Sequence, residues 1–145
     1  MKIALITDTH FGARNDSLPF NEYFYKFWEE IFFPILDKKG IDTIIHLGDT
    51  MDRRKFVSYK IANDFRRRFI QPIVDRNIDT HILIGNHDTF YKNTNDINSV
   101  AELVGNKHSN IKYYASCDTV DFDGTPIHFV PWINAENYGS TIQSI

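Results

Sequence analysis

The stretch THILIGNHDTF, residues 80–90, runs apolar through Ile84 and turns polar at Gly85. Its first five residues predict a short strand buried on both faces. Gly85, Asn86, His87 and Asp88 then set an amide, an imidazole and a carboxylate at the end of that strand. Such a cluster is either a polar turn or one part of a metal site. A metal site needs further donors elsewhere in the chain.

The same arrangement occurs twice more. Residues 2–7, KIALIT, predict a strand that runs into Asp8-Thr9-His10. Residues 43–47, TIIHL, predict another that runs into Gly48-Asp49-Thr50-Met51-Asp52. Between the strands lie helical patterns. Over 20–36 apolar side chains recur at Phe20, Tyr23, Phe24, Phe27, Trp28, Ile31, Phe32, Ile35 and Leu36, one stripe expected to be core, any exposed part of it serving as a partner or dimer face. Pro34 is expected to kink or end this helix, and Gly40 to stop the chain there. Residues 59–76 predict a second helix, with Pro72 as its break. Residues 96–104 predict a short one with Asp96 as N-cap. A strand follows at 111–115. Residues 118–131 predict a β-hairpin turning at Asp123-Gly124.

Strands alternating with helices imply an α/β layered fold over residues 1–145, a mainly parallel sheet flanked by helices with an added hairpin. In a parallel sheet the carboxyl ends of the strands share one edge, where ligands bind. Three clusters far apart in sequence are therefore expected to converge. Their carboxylates, imidazoles and amide suit Mn, Fe or Zn ions better than a soft thiolate site would.

With 145 residues, 42% of them hydrophobic, the chain can bury a core and is not a disordered segment. A net charge of -3 gives no general basic signal for nucleic acid, though Arg53, Arg54 and Lys55 form a local patch directly after the second cluster. The single cysteine, Cys117, excludes an internal disulfide and indicates a reducing compartment, hence a cytoplasmic location. No apolar run is long enough to span a membrane. His46 is expected to be a packed or hydrogen-bonded strand residue, His81 a surface residue, His108 a loop residue and His128 a structural hairpin residue. Arg66, Arg67 and Arg68 are expected on a solvated helix face.

The motifs DTH, GDTMD and GNHD, in this order over residues 2–90, resemble the first three signature motifs of the calcineurin-like metallophosphoesterases. The resemblance implies two divalent ions, most simply Mn2+, with Asp8 and His10 on one, Asp49 bridging and Asn86 on the second. His87 would meet the substrate phosphate or protonate the leaving oxygen. Asp88 would either orient the His87 ring or cap the turn. Two ions need a bridging carboxylate to offset their repulsion, and together they activate water and clamp phosphate oxygens. DRR where phosphatases have DRG, and GNHD where they have GNHE, turn the resemblance away from protein phosphatases. The long aromatic helix, the RRKFVSYKIANDF stretch and IHFVPWINAEN are similar to the nuclease subunits of double-strand-break repair complexes, phage members above all. That implies DNA as substrate, with Arg53, Arg54 and Lys55 on its phosphates, and a recombination role. It also implies an SMC-like ATPase partner and a homodimer of the full-length protein. The family's later motifs, a lone histidine and a G-H-x-H pair, are absent, so the chain is expected to be the N-terminal part of such a domain and a weak enzyme alone. The alternatives are a phosphoesterase acting on nucleotides or phosphoproteins, and a non-catalytic scaffold that docks an ATPase.

Overall fold

The computed structural model describes residues 1–145. Four short strands form one parallel sheet: β1 (Ile3–Ile6), β2 (Thr43–His46), β3 (Asp79–Leu83) and β4 (Ile111–Tyr114). They lie side by side in chain order. Ile6 pairs with His46 and His46 with Ile82, so β1, β2 and β3 finish almost level. The three polar clusters leave the sheet at one edge, as the sequence predicts.

The sheet is covered on both faces, which is why its inner strands are apolar without alternation. On one face Ile44, Ile82 and Ile111 pack beneath two long helices, with Trp28, Phe33, Phe65, Phe69 and Ile73 completing the main core. On the other, Ile45, Leu83 and Tyr114 pack against Phe122 and Phe129. These two aromatics come from an antiparallel hairpin, β5 (Asp118–Phe122) and β6 (Thr125–Phe129). Asp123 and Gly124 turn it with φ of 52° and 84°, the doubly positive turn that matches strand twist.

Both long helices depart from expectation at their prolines. The first spans residues 18–39, with a π segment, Trp28–Phe32, between Leu18–Phe27 and Phe33–Lys39. The second spans residues 59–75, with a π segment, Phe65–Ile70, between Tyr59–Asp64 and Gln71–Asp75. Pro34 and Pro72 neither end nor break them. In each case the wide turn lies directly before the proline; Phe33 N–H reaches back to Trp28 O and Gln71 N–H to Arg66 O. A regular α ladder would clash there at the i−4 carbonyl, and the widened turn relieves it.

Other expectations are corrected by packing. The aromatic stripe divides: Tyr25, Trp28, Phe33 and Leu36 are buried, whereas Phe24, Phe27, Ile31 and Ile35 are exposed. His81 is 1% exposed and not a surface residue, because β3 starts at Asp79 and carries His81 under the hairpin. Its ring bonds the Tyr114 hydroxyl at 2.7 Å and Asp79 at 3.0 Å. Arg66 and Arg67 are exposed, but Arg68 is clamped at 2.6 Å by Glu22 and by Glu29 and ties the two long helices together. The short helix is Ser99–Leu103, capped by Asn98, which accepts from Ala101 N–H at 2.8 Å; Asp96 lies outside it. A last helix, Tyr138–Ser144, has no counterpart in the sequence reading. No helix is long and apolar enough to cross a membrane.

Candidate metal centre

The hydrogen bonds between β1 and β2 continue into the loops. Asp8 N–H donates to Gly48 O, His10 N–H to Asp49 O and Phe11 N–H to Thr50 O, all within 3.1 Å. The first and second clusters are thus fastened backbone to backbone. The second and third are brought together by two glycines. A Cβ on Gly85 would lie 2.2 Å from Asp49 N and 2.3 Å from Asp49 Oδ1. A Cβ on Gly48 would lie 2.8 Å from Gly85 N. Only side-chain-free backbone permits this approach, and it sets Asn86 against Asp49.

Buried groups brace the loops from below. His46 accepts from Gly48 N–H through Nδ1 at 3.1 Å, so its Nε2–H donates to the Thr9 hydroxyl at 2.9 Å. That hydroxyl donates in turn to Thr50 O at 3.1 Å. Burial lowers the His46 pKa to about 4, so the ring is neutral and holds this tautomer. Asp88 is fully buried. Its carboxylate accepts from Met51 N–H at 3.0 Å, Gly85 N–H at 2.9 Å and the Ser99 hydroxyl at 3.3 Å. Burial pushes its pKa up, against the opposing pull of those backbone donors. Of the two roles open to Asp88, the geometry has the turn cap: both oxygens are engaged with the loops. The ring of His87 is oriented instead by the Asp52 carbonyl, which accepts from Nδ1–H at 2.7 Å.

Three of the four candidate ligands occupy the left-handed backbone region: Asp8 at φ 53°, His10 at 43° and Asp49 at 56°. Each such residue costs about 1–3 kcal/mol unless its surroundings over-determine it. The ladder bonds and glycine contacts provide that.

The side chains converge as the motifs require. His10 Nε2 lies 3.3 Å from Asp8 Oδ1 and 3.8 Å from Asp49 Oδ2. Donor atoms of Asp8, His10 and Asp49 all fall within 4.8 Å of one another. The Thr7 hydroxyl, 2.5 Å from Asp8, and more weakly His10 hold the Asp8 carboxyl below its ordinary pKa, so it stays ionised. The Asn86 amide lies 3.2 Å from both Asp49 oxygens. Turned one way its NH2 donates to them; turned the other, its Oδ1 would face a cation held beside Asp49. Asp49 therefore has both His10 and Asn86 beside its carboxylate. Two carboxylates, an imidazole and an amide oxygen fit a divalent first-row ion.

Asp52 is the residue whose role the sequence leaves unassigned. Its carbonyl holds His87, and its Oδ1 is 3.2 Å from His10 Nδ1. Asp52 thus holds the His87 ring through its carbonyl and sets a carboxylate oxygen near His10 Nδ1, which forms no hydrogen bond, and the two histidine rings meet edge to face at 4.8 Å. The only available signal was its place within GDTMD. Arg53 lies 3.5 Å from Asp16 and also bonds Asn15; Arg54 reaches the Thr89 hydroxyl at 3.4 Å; Lys55 is exposed. Beside the site, a cavity of about 400 Å³ is lined by Asp8, His10, Arg14, Phe20, Phe24 and Asp52, among others.

Comparison with known proteins identifies the family. Residues 1–140 match the calcineurin-like phosphoesterase family. The chain is 41% identical over 108 residues to exonuclease subunit 1 of Enterobacteria phage T4, an alignment covering 74% of this chain and 31% of that protein. The chain thus spans about a third of this curated relative. Among solved structures, a protein of unknown function from Aquifex aeolicus aligns over 98% of this chain and 68% of its own, at 18% identity and a TM-score of 0.43. The ordered motifs and the match over nearly the whole length place this chain in the calcineurin-like phosphoesterase family.

Proposed function

We propose that this chain carries the catalytic motifs of a metal-dependent DNA nuclease, which hydrolyses phosphodiester bonds with two divalent ions, most simply Mn2+. The observation that carries it is the convergence of Asp8, His10, Asp49 and Asn86 beside a histidine held by its Nδ1–H. The relative named an exonuclease subunit supports DNA as the substrate.

Asp8 and His10 would hold one ion, Asn86 the second, and Asp49 both. Bound there, the ions would supply charge stabilisation of the phosphoryl group and an activated water. The chain's own residues do the rest. Asp49, which would contact both ions, is held by His87 N–H, which donates to its Oδ1 at 2.9 Å. Because Nδ1–H of His87 is committed to Asp52 O, its Nε2 is the nitrogen left for substrate. Protonated there, it would donate to a phosphate oxygen or to the leaving oxygen. Arg53, Arg54 and Lys55 would take phosphates of the incoming strand. Action in recombination and repair, beside an SMC-like ATPase and as a dimer, belongs to the same proposal.

Calorimetric titration of Mn2+ into the chain tests the ligands: binding is expected, and Asp49→Ala weakens it by about a hundredfold or more, beyond the 10–100-fold typical of supporting groups. Mn2+-dependent cleavage of labelled DNA by the full-length protein is expected to be lost in His87→Ala. Cleavage of cyclic nucleotides or a phosphoprotein, but not DNA, would overturn the nuclease assignment. Absence of Mn2+ binding would favour the non-catalytic scaffold.

A further inference from the structure

We propose that Arg53 is a latch: clasped by Asn15 and Asp16, it keeps residues 14–16 in a left-handed turn beside the candidate ligands, and a DNA phosphate that captures its guanidinium sets the turn free. This rests on the nuclease reading above and adds a regulating contact to the same site.

Arg14 has φ 54° and ψ 49°, Asn15 φ 59° and ψ 47°, and Asp16 φ 56°. L-residues enter this region singly and not in runs, because Cβ crowds the following carbonyl. Asn and Asp tolerate it best, whereas Arg14 has no short polar side chain to offset the crowding. One backbone bond closes the turn: Asp16 N–H donates to Gly12 O at 2.9 Å. Arg53 supplies side-chain tethers from the loop after the second motif. It donates to Asn15 Oδ1 and lies 3.5 Å from Asp16 Oδ2. The Arg53 and Asp16 side chains are 22% and 18% exposed, so the clasp is sheltered yet within reach of a ligand from solvent.

The latch joins two segments next to the metal-binding residues. The turn lies just after His10 and Phe11, and Arg53 directly follows Asp52. Arg14 lines the cavity of about 400 Å³ together with Asp8, His10 and Asp52, and its guanidinium lies 4.7 Å from the centre of the Phe20 ring. Movement of the turn therefore reshapes the space beside Asp8 and His10.

Arg53 is held differently from the arginines that only tie elements together. Arg68 meets Glu22 and Glu29 at 2.6 Å, and Arg76 meets Asp37 through two bonds, at 2.9 and 3.1 Å. Arg53 has a neutral amide oxygen and one offset carboxylate instead. A phosphate would offer it two charged oxygens in a bidentate pair, the stronger arrangement. Asn15 and Asp16 then lose their tethers, and the left-handed run relaxes toward ordinary backbone. Asp16 is thus an acceptor that the incoming phosphate must displace.

The experiment follows the Asp16 amide by NMR hydrogen exchange, in EDTA so that DNA is not cleaved. Arg53→Ala, without DNA, should speed that exchange by about tenfold or more, as loss of a hydrogen bond from a charged group does. A short DNA duplex added to wild type should also speed it, whereas the Phe11 amide, bonded to Thr50 O, should change by less than about twofold. In parallel, anisotropy of the same duplex carrying fluorescein reads affinity. Asp16→Asn, which keeps a residue tolerant of the left-handed region, should tighten binding by about threefold or more. In the Arg53→Ala background the same substitution should change affinity by less than about twofold, because the competition is gone. Circular dichroism verifies that each variant is folded. Equal tightening in both backgrounds would make Asp16 a general charge effect and overturn the latch. Slowed or unchanged exchange at Asp16, in Arg53→Ala or with duplex bound, would overturn it too; each of these results leaves the nuclease reading in place. Failure of the wild type to bind duplex overturns that reading itself, and the release with it.

Discussion

The loop after β3 and the tip of the β5–β6 hairpin are built from the same two parts. Each has a glycine that lets the chain turn, and each has an aspartate whose carboxylate accepts from that glycine's N–H: Asp88 from Gly85 at 2.9 Å, and Asp121 from Gly124 at 2.8 Å. Their surroundings differ completely. Gly85 abuts the backbone of Asp49, while nothing lies within 4 Å of a Cβ built on Gly124. Asp88 is buried among loops from three parts of the chain; Asp121 is exposed. The first turn places chemistry, and the second only reverses the chain. The same two residue types, in opposite order along the chain, therefore acquire their importance from what they are pressed against.

Substitutions should separate the two turns. Gly85→Ala forces a methyl into backbone that cannot swing aside, and is expected to cost roughly 3 kcal/mol or more in urea unfolding. Gly124→Ala faces only left-handed strain and should cost about 1–2 kcal/mol. Comparable costs would show that the close approach of Gly85 to Asp49 is not maintained in solution.

Removing the carboxylates sharpens the contrast. Asp88→Ala leaves the buried N–H groups of Met51 and Gly85 without their acceptor, about 2–4 kcal/mol in the same measurement. Asp121→Ala, where water replaces the oxygen, should cost about 0.5 kcal/mol.

A pH series probes the brace beneath the first region. His46 has a folded-state pKa lowered to about 4, against an ordinary value of 6.5. As pH falls the unfolded chain takes up the proton first, so this part of the stability is complete above about pH 6.5. It drains as the pH approaches 4, by up to about 3 kcal/mol. His46→Gln should flatten the slope in that window. An unchanged slope would assign it to other groups, Asp88 being the one whose raised pKa acts in the opposite direction.

Much of this molecule is legible in its sequence because the informative signals are local. Apolar runs ending in D-x-H, G-D and G-N-H locate three strands and their common edge, and Asp123-Gly124 locates the hairpin turn. What is not legible depends on partners remote in sequence. His81 looks like the start of a strand, but it is buried because a hairpin some 40 residues later closes over it. Arg68 belongs to a run of three arginines, and only the crossing of the two helices reveals Glu22 and Glu29 on either side. Pro34 and Pro72 announce breaks that the preceding π segments absorb. Asp52 contributes a carbonyl as well as a carboxylate, and backbone donors and acceptors have no signature in residue type.

The sheet order has a dynamic consequence. β1 is an outer strand, hydrogen-bonded to β2 alone, yet it leads directly into Asp8 and His10. Half of the candidate ligands thus hang from a part of the sheet that local opening can peel away most readily. A divalent ion shared with Asp49, in the loop after the neighbouring strand, would act as a rivet. Amide hydrogen exchange of Ala4 to Ile6 should slow on adding Mn2+, far more than that of Thr119 to Phe122 in the hairpin. Cargo chemistry aside, the ion would then be a fastener that decides how often the edge of this sheet lets go.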